Sequence, residues 1–268
     1  MNWWQALIIG FIQGISEFMP ISCTALMLLA QRILNISIEN NSKLAFETFL
    51  HIASVLAVIV YFRHDLHKIL HDFIIYIRTK EDQAQTNYRF VLLLIMSTLV
   101  TLLAAKTLES IMGGHFTNSV TIGFSLIITG FSLVLIEHGL NDGTRRLKML
   151  NWKDGIIIGI GQALSLIPGI SRTGSTLFTA LCLGICKNTA LRYSFLLSIP
   201  VFLGMTLLKI PDLHYSQISF PSLATAFISS FIFALIGIKW FISMLQNTKL
   251  TYFAFFCIGL GVITWKFI

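Results

Sequence analysis

The chain has 268 residues, 55% of them hydrophobic and only 12% charged, with a formal net charge of +7 and a mean hydropathy of +0.79. A soluble domain carries about twice that charged fraction, so a water-soluble globular protein is excluded and an integral membrane protein is implied. The positive balance does not point to nucleic acid, because the basic residues concentrate in two loops, as Lys and Arg do in the cytoplasmic loops of membrane proteins.

Apolar segments fall at about 3–30, 44–62, 90–107, 117–136, 155–183, 193–210, 222–245 and 251–267, enough for six to eight membrane elements of roughly 20 residues each. Their Leu, Ile and Phe show no two-residue alternation, which predicts helices and not a barrel. The expected fold is an all-α polytopic membrane protein with about six transmembrane helices. It forms one domain, 1–268, from two pseudo-repeats at about 1–137 and 150–268. The start, Met1-Asn2-Trp3-Trp4, lacks a basic region and a following small-residue cleavage site, so it reads as a retained first membrane segment and not a signal peptide. Trp3, Trp4, Trp152, Trp240 and Trp265 lie near segment ends, as an interfacial aromatic belt requires.

Within the first segment a polar stretch interrupts the apolar run: Gln13, Ser16, Glu17, Pro20, Ser22, Cys23 and Thr24. Next comes loop 63–89, with Arg63, Lys68, Arg78, Lys80 and Arg89 and a solvated hairpin tip at 81–87. Its His64, His67 and His71 have helical spacing, but no fourth metal ligand accompanies them, and interfacial histidines beside Asp65 and Asp72 are the plainer reading. Loop 138–154 carries Arg145, Arg146, Lys148 and Lys153. Two crossings separate these loops, so they share a side, predicted to be cytoplasmic. A second polar stretch follows: Gln162, Ser165, Pro168, Gly169, Ser171, Arg172, Thr173, Gly174, Ser175 and Thr176. The cysteines, Cys23, Cys182, Cys186 and Cys257, have no Cys-x-x-Cys spacing and read as single thiols; only Cys23 lies inside a polar motif.

The two polar stretches sit at corresponding places in the two halves. Each has a glutamine six or seven residues before a proline, and each proline leads into a Ser/Thr cluster. Freed backbone at membrane depth is tolerated only where protein or water covers it, so both are read as re-entrant helix hairpins, at 3–28 and 155–180, meeting head to head. Paired interrupted segments of this kind point to a site at a repeat interface. A carboxylate and a guanidinium in apolar surroundings need a partner or a water-filled cavity, so Glu17 and Arg172 are expected to line one cavity. Arg172 offers a fork that stays protonated when buried. The hydroxyls of Ser171, Thr173, Ser175 and Thr176, and close backbone approach at Gly169 and Gly174, suit an oxyanion such as phosphate. Glu17 could bind a divalent cation, orient a nucleophile, or simply pair with Arg172.

The stretch Pro168-Gly-Ile-Ser-Arg-Thr-Gly-Ser-Thr176 resembles the PGxSRSxxT signature of the bacterial undecaprenyl pyrophosphate phosphatase family, the bacitracin-resistance proteins. The residues around Glu17-Phe-Met-Pro20-Ile-Ser22 resemble its first signature, a Glu-x-x-x-Glu followed by Phe-Leu-Pro-x-Ser-Ser-Thr-x-His. Phe46-Glu47 through His51 to Phe62, and Tyr193 to Pro200, match as well. The chain departs from the family at three reacting positions: Gln13 replaces the first glutamate, Cys23 the second serine, and Leu26 the histidine.

The resemblance implies hydrolysis of undecaprenyl diphosphate to undecaprenyl phosphate and inorganic phosphate, recycling a cell-wall lipid carrier. It implies catalytic roles for Glu17, Ser22, Cys23 and Arg172. Substrate binding would fall to Gln13, Thr24, Gly169, Ser171, Thr173, Gly174 and Thr176. A divalent cation, Mg²⁺ or Ca²⁺, would be held through Glu17. The protein would lie in the bacterial inner (plasma) membrane with the site open to the periplasm, and a homodimer is left open. The alternative is a catalytically impaired paralogue that binds or translocates a polyprenyl phosphate.

Overall fold

The computed structural model describes residues 1–36, 40–112, 118–140, 142–209, 218–247 and 250–267. Among these residues the chain forms, in order, α1 (Trp3–Phe18), α2 (Cys23–Ile33), α3 (Asn40–Tyr61), α4 (Arg63–Thr79), α5 (Gln85–Met112), α6 (Ser119–Gly139), α7 (Trp152–Ala163), α8 (Arg172–Cys182), α9 (Lys187–Lys209), α10 (Phe220–Asn247) and α11 (Thr251–Phe267). The rest of the regular structure they show is short 3-10 turns and one isolated bridge, Arg145 to Ile185. α3, α5, α6, α9 and α10 are each long and apolar enough to cross a membrane, and the shorter apolar α11 packs along α6. α5 turns Leu92, Ile95, Leu99 and Leu103 outward, and α6 turns out Phe124, Ile128, Phe131 and Leu135. Contiguous apolar faces of this kind need lipid to cover them. The chain is an all-α, multi-pass membrane protein.

The interruptions at Pro20 and Pro168 are real breaks. Proline lacks an N–H and disfavours helix for the residue before it. Met19 (φ −82°, ψ 152°) and Ile167 (φ −72°, ψ 119°) are both extended, and both prolines lie in turns. At 16, 11, 12 and 11 residues, α1, α2, α7 and α8 are each too short to span a bilayer. They pair instead as two hairpins, α1–α2 and α7–α8.

Helix restarts at Ser22 and Ser171. Ser22 Oγ accepts from Ala25 N (3.4 Å) and Ser171 Oγ from Gly174 N (3.2 Å), which caps α2 and α8 identically. The hairpins also close alike at their open ends. Gln5 Nε2 donates to Leu34 O (3.1 Å) in the first, and Arg145 Nη1 to Leu183 O (2.9 Å) in the second. Asn35 (φ 51°) and Gly184 (φ 72°) then turn the chain out of each helix, and Ile36 N and Ile185 N reach back to Gln31 O and Ala180 O. Gln13 and Gln162, Ser22 and Ser171, and Asn35 and Gly184 are each 149 residues apart.

The hairpins enter from opposite ends. α3 carries the chain from the first hairpin to the end where Asp65 pairs with Arg192 (Oδ2 to Nε 2.6 Å), and the second hairpin hands the chain directly to α9 at that same end. α1 is held against α10 by close backbone approach: a Cβ on Gly14 would lie 2.7 Å from Ala234 N.

The polar stretch 63–89, expected as a loop, is mostly helix. α4 ends at Lys80 (φ 57°), a 3-10 turn covers Asp82–Ala84, and α5 begins at once. Its charges every few positions hid an amphipathic helix that buries Ile69 and exposes Leu70, Ile74 and Ile77. The stretch 138–154 lies at the same end, where Asp142 Oδ1 accepts from Lys187 N (2.8 Å) at the start of α9.

Candidate active site

The two breaks bring Glu17, at the end of α1, against Arg172, at the start of α8. Arg172 Nε donates to Glu17 Oε1 (3.3 Å), while Arg172 Nη2 and Thr173 Oγ1 both donate to the Glu17 carbonyl (3.4 Å each). Their side chains are only 9% and 4% exposed, so each charge depends on the other. The guanidinium also lies over two rings, 5.6 Å from Phe18 and 5.1 Å from Phe202.

Around Glu17 a polar set is assembled from three helices. Gln13, one turn earlier on α1, donates from Nε2 to Glu17 Oε2 (2.9 Å) and sits 3.1 Å from His51 Nδ1. His51 Nδ1 is itself 3.3 Å from Glu17 Oε2, and its ring stacks on Phe202 at 4.7 Å. Cys23, the first residue of α2, donates its thiol to Gln13 Oε1 (3.1 Å). Gln13 is thus fully engaged: its amide fixes both the carboxylate and the thiol.

A cavity of about 240 Å³ lies between the hairpin tips. Glu17, Cys23, Thr24 and Arg172 line it, as the sequence led us to expect. Because Cys23, Thr24 and Arg172 are the first residues of α2 and α8, two helix N-termini face the same space, and their exposed N–H groups favour an anion. The remaining expected residues support the lining from behind. Ser22 and Ser171 cap their helices, and Ser171 Oγ also reaches Met19 O (3.4 Å). Thr176 Oγ1 donates to Arg172 O (2.9 Å) and touches Ser194 Oγ. Gly169 (φ 101°) turns against α6, where a Cβ would lie 2.6 Å from that of Ser125, and Thr129 Oγ1 donates to its carbonyl. Gly174 packs beside the other hairpin tip: a Cβ there would lie 3.2 Å from that of Ser171 and 3.8 Å from that of Pro20.

Sequence reading gave no role to His51, Glu47 or Gln162, all of which line the cavity. Glu47 and His51 were legible as a pair: they are four apart, hence on one face, in an otherwise apolar helix. Leu26, which stands where the resemblance places a histidine, does not line the cavity but packs against the apolar core. Glu47 and Thr48 come from the first half of α3 and His51 from its midpoint, while Val201, Phe202 and Thr206 come from the second half of α9. Both are the halves farther from the basic stretches.

A divalent cation held through Glu17 would share that carboxylate with its present partners. Both Glu17 oxygens are taken by Arg172, Gln13 and His51. Among the described residues no three His, Cys, Asp or Glu side chains come together to hold a metal ion.

The family model for the bacitracin resistance protein BacA matches residues 6–263. The chain is 42% identical over 262 residues to undecaprenyl-diphosphatase 2 of Halalkalibacterium halodurans, covering 96% of this chain and 93% of that protein. It is 38% identical over 271 residues to undecaprenyl-diphosphatase 1 of Shouchella clausii, covering 100% and 97%. It is 37% identical over 268 residues to undecaprenyl-diphosphatase 1 of Bacillus cereus, covering 98% and 96%.

Proposed function

The chain belongs to the bacitracin resistance protein BacA family, and on that premise we propose that it is an undecaprenyl-diphosphatase. It hydrolyses the lipid diphosphate to undecaprenyl phosphate and inorganic phosphate, returning a carrier to cell-wall synthesis. The observation that carries this reading is the buried Arg172–Glu17 pair at the junction of two helix N-termini, opening into a polar cavity.

In this reading Arg172 binds the diphosphate through its fork and neutralises charge that builds on the bridging oxygen as its bond to the terminal phosphorus breaks. Glu17, oriented by Gln13 and His51, takes a proton from the water that attacks that phosphorus. Cys23 spends its S–H on Gln13 Oε1, so water is the nucleophile of choice here. Leu26 removes nothing from the cavity, because that position faces the core. A divalent cation, which the family resemblance implies, would be held through Glu17 together with phosphate oxygens of the substrate; phosphate release with and without Mg²⁺ or Ca²⁺ tests that expectation.

The setting is the bacterial inner (plasma) membrane, with the cavity facing the periplasmic side. The basic stretches 63–89 and 138–154 at the opposite end support this orientation. The test of function is phosphate release from purified protein given farnesyl or undecaprenyl diphosphate. Turnover that Arg172→Ala abolishes is expected. Zero turnover in the wild type, with lipid phosphate still bound, overturns the enzyme in favour of a carrier.

A further inference from the structure

Gln162 is 1% exposed, yet neither its Oε1 nor its Nε2 has a hydrogen-bond partner. It lines the same cavity as Arg172, Cys23 and Thr24. Its counterpart in the first hairpin, Gln13, uses its amide on Glu17, His51 and Cys23. The same backbone position therefore carries one satisfied and one unsatisfied amide. The position opposite Glu17 in the second hairpin is Leu166, so Gln162 has no carboxylate one turn ahead to hold.

A buried amide with both ends unpaired is costly, and such groups persist where a ligand completes them. We propose that Gln162 is a phosphoryl-binding residue of the site. Its Nε2 donates to a non-bridging oxygen of the diphosphate that Arg172 anchors. Its Oε1 accepts from an O–H, either of water ordered on that phosphate or of the phosphate's own protonated oxygen. An amide suits this place better than a second cation would: it adds a donor beside the guanidinium without repelling it. This inference rests on the diphosphatase reading and deepens it, because it adds a neutral, directional contact to a site otherwise built on charge.

The test uses the full-length protein in detergent and a farnesyl methylenediphosphonate, whose P–C–P bridge cannot be hydrolysed. Wild type should bind it. Gln162→Met, of similar length but apolar, should weaken binding about 10–100-fold, the range for a hydrogen bond to a charged group. In the absence of the probe its melting temperature should equal or exceed that of wild type, because no partner is lost. A merely structural glutamine would show the reverse: a lower melting temperature and unchanged affinity. Gln162→Asn, which keeps the amide but withdraws it by one methylene, should weaken binding at unaltered stability and serves if the Met variant does not fold. Binding within twofold of wild type in either variant overturns the inference. Failure of wild type to bind overturns the diphosphatase reading itself, and this inference with it.

Discussion

The first and second hairpins are built on one plan and put to different uses. Both break before a proline-led turn, restart on a capping serine and leave through a left-handed residue after a leucine. At the first position of the restarted helix one carries Cys23 and the other Arg172; one turn before the break one carries Glu17 and the other Leu166. The acidic member and the basic member of the site therefore come from different copies. The fold supplies two anion-favouring helix ends by symmetry, and the chemistry comes from breaking that symmetry at a few side chains.

The asymmetry should dominate any mutational comparison. Arg172→Ala should lower turnover by about 10²–10⁴-fold, since it removes both the diphosphate anchor and the charge opposing the leaving oxygen. Glu17→Gln should fall in the same range. Each single change also strands a buried charge, at a cost of about 3–5 kcal/mol. The double variant, Glu17→Gln with Arg172→Ala, should therefore be more stable than the sum of the singles predicts. Additive stabilities from thermal melts would break the account of the pair.

The shared plan gives the next largest effect. Ser22→Ala and Ser171→Ala should each cost about 0.5–2 kcal/mol through the lost cap, with Ser171→Ala the larger because its Oγ also reaches Met19 O. A large loss of turnover from one cap, with no matching loss of stability, would mean that serine acts on substrate directly. The smallest effect is expected at Cys23→Ser. The hydroxyl can donate to Gln13 Oε1 as the thiol does, so phosphate release should stay within a few-fold of wild type or rise. A collapse of activity would assign the reaction to the sulfur.

Much of this comparison was legible in the chain. Pro20 and Pro168 marked the breaks, and two isolated charges 155 residues apart were expected to find each other because neither is tolerable alone in lipid. The register of the repeat was not legible in the same way. Matching the prolines places them 148 apart, one residue off the spacing shared by the glutamines, caps and exit turns. A proline need only end a helix nearby, whereas a cap must sit at one position of the next, so the serines are the better ruler. His51 was hidden for another reason: it sits in an unbroken apolar helix, and only packing shows which side of that helix faces Glu17. Arg145, counted among the basic residues of 138–154, instead binds Asp154 (Nη2 to Oδ2 2.6 Å) and closes the second hairpin. A net count of loop charges cannot separate such a clamp from a free cation.

The separation of Glu17 from Arg172 also has a meaning in time. A ribosome working at 5–20 residues per second needs about 8–30 s to pass from the one codon to the other. For that interval the carboxylate has been made while its arginine does not yet exist. His51, only 34 positions downstream, is made within about 2–7 s, long before Arg172. The histidine that orients the carboxylate in the finished enzyme is thus also a companion available to it, with Gln13 and Cys23, while the second half of the protein is still being translated.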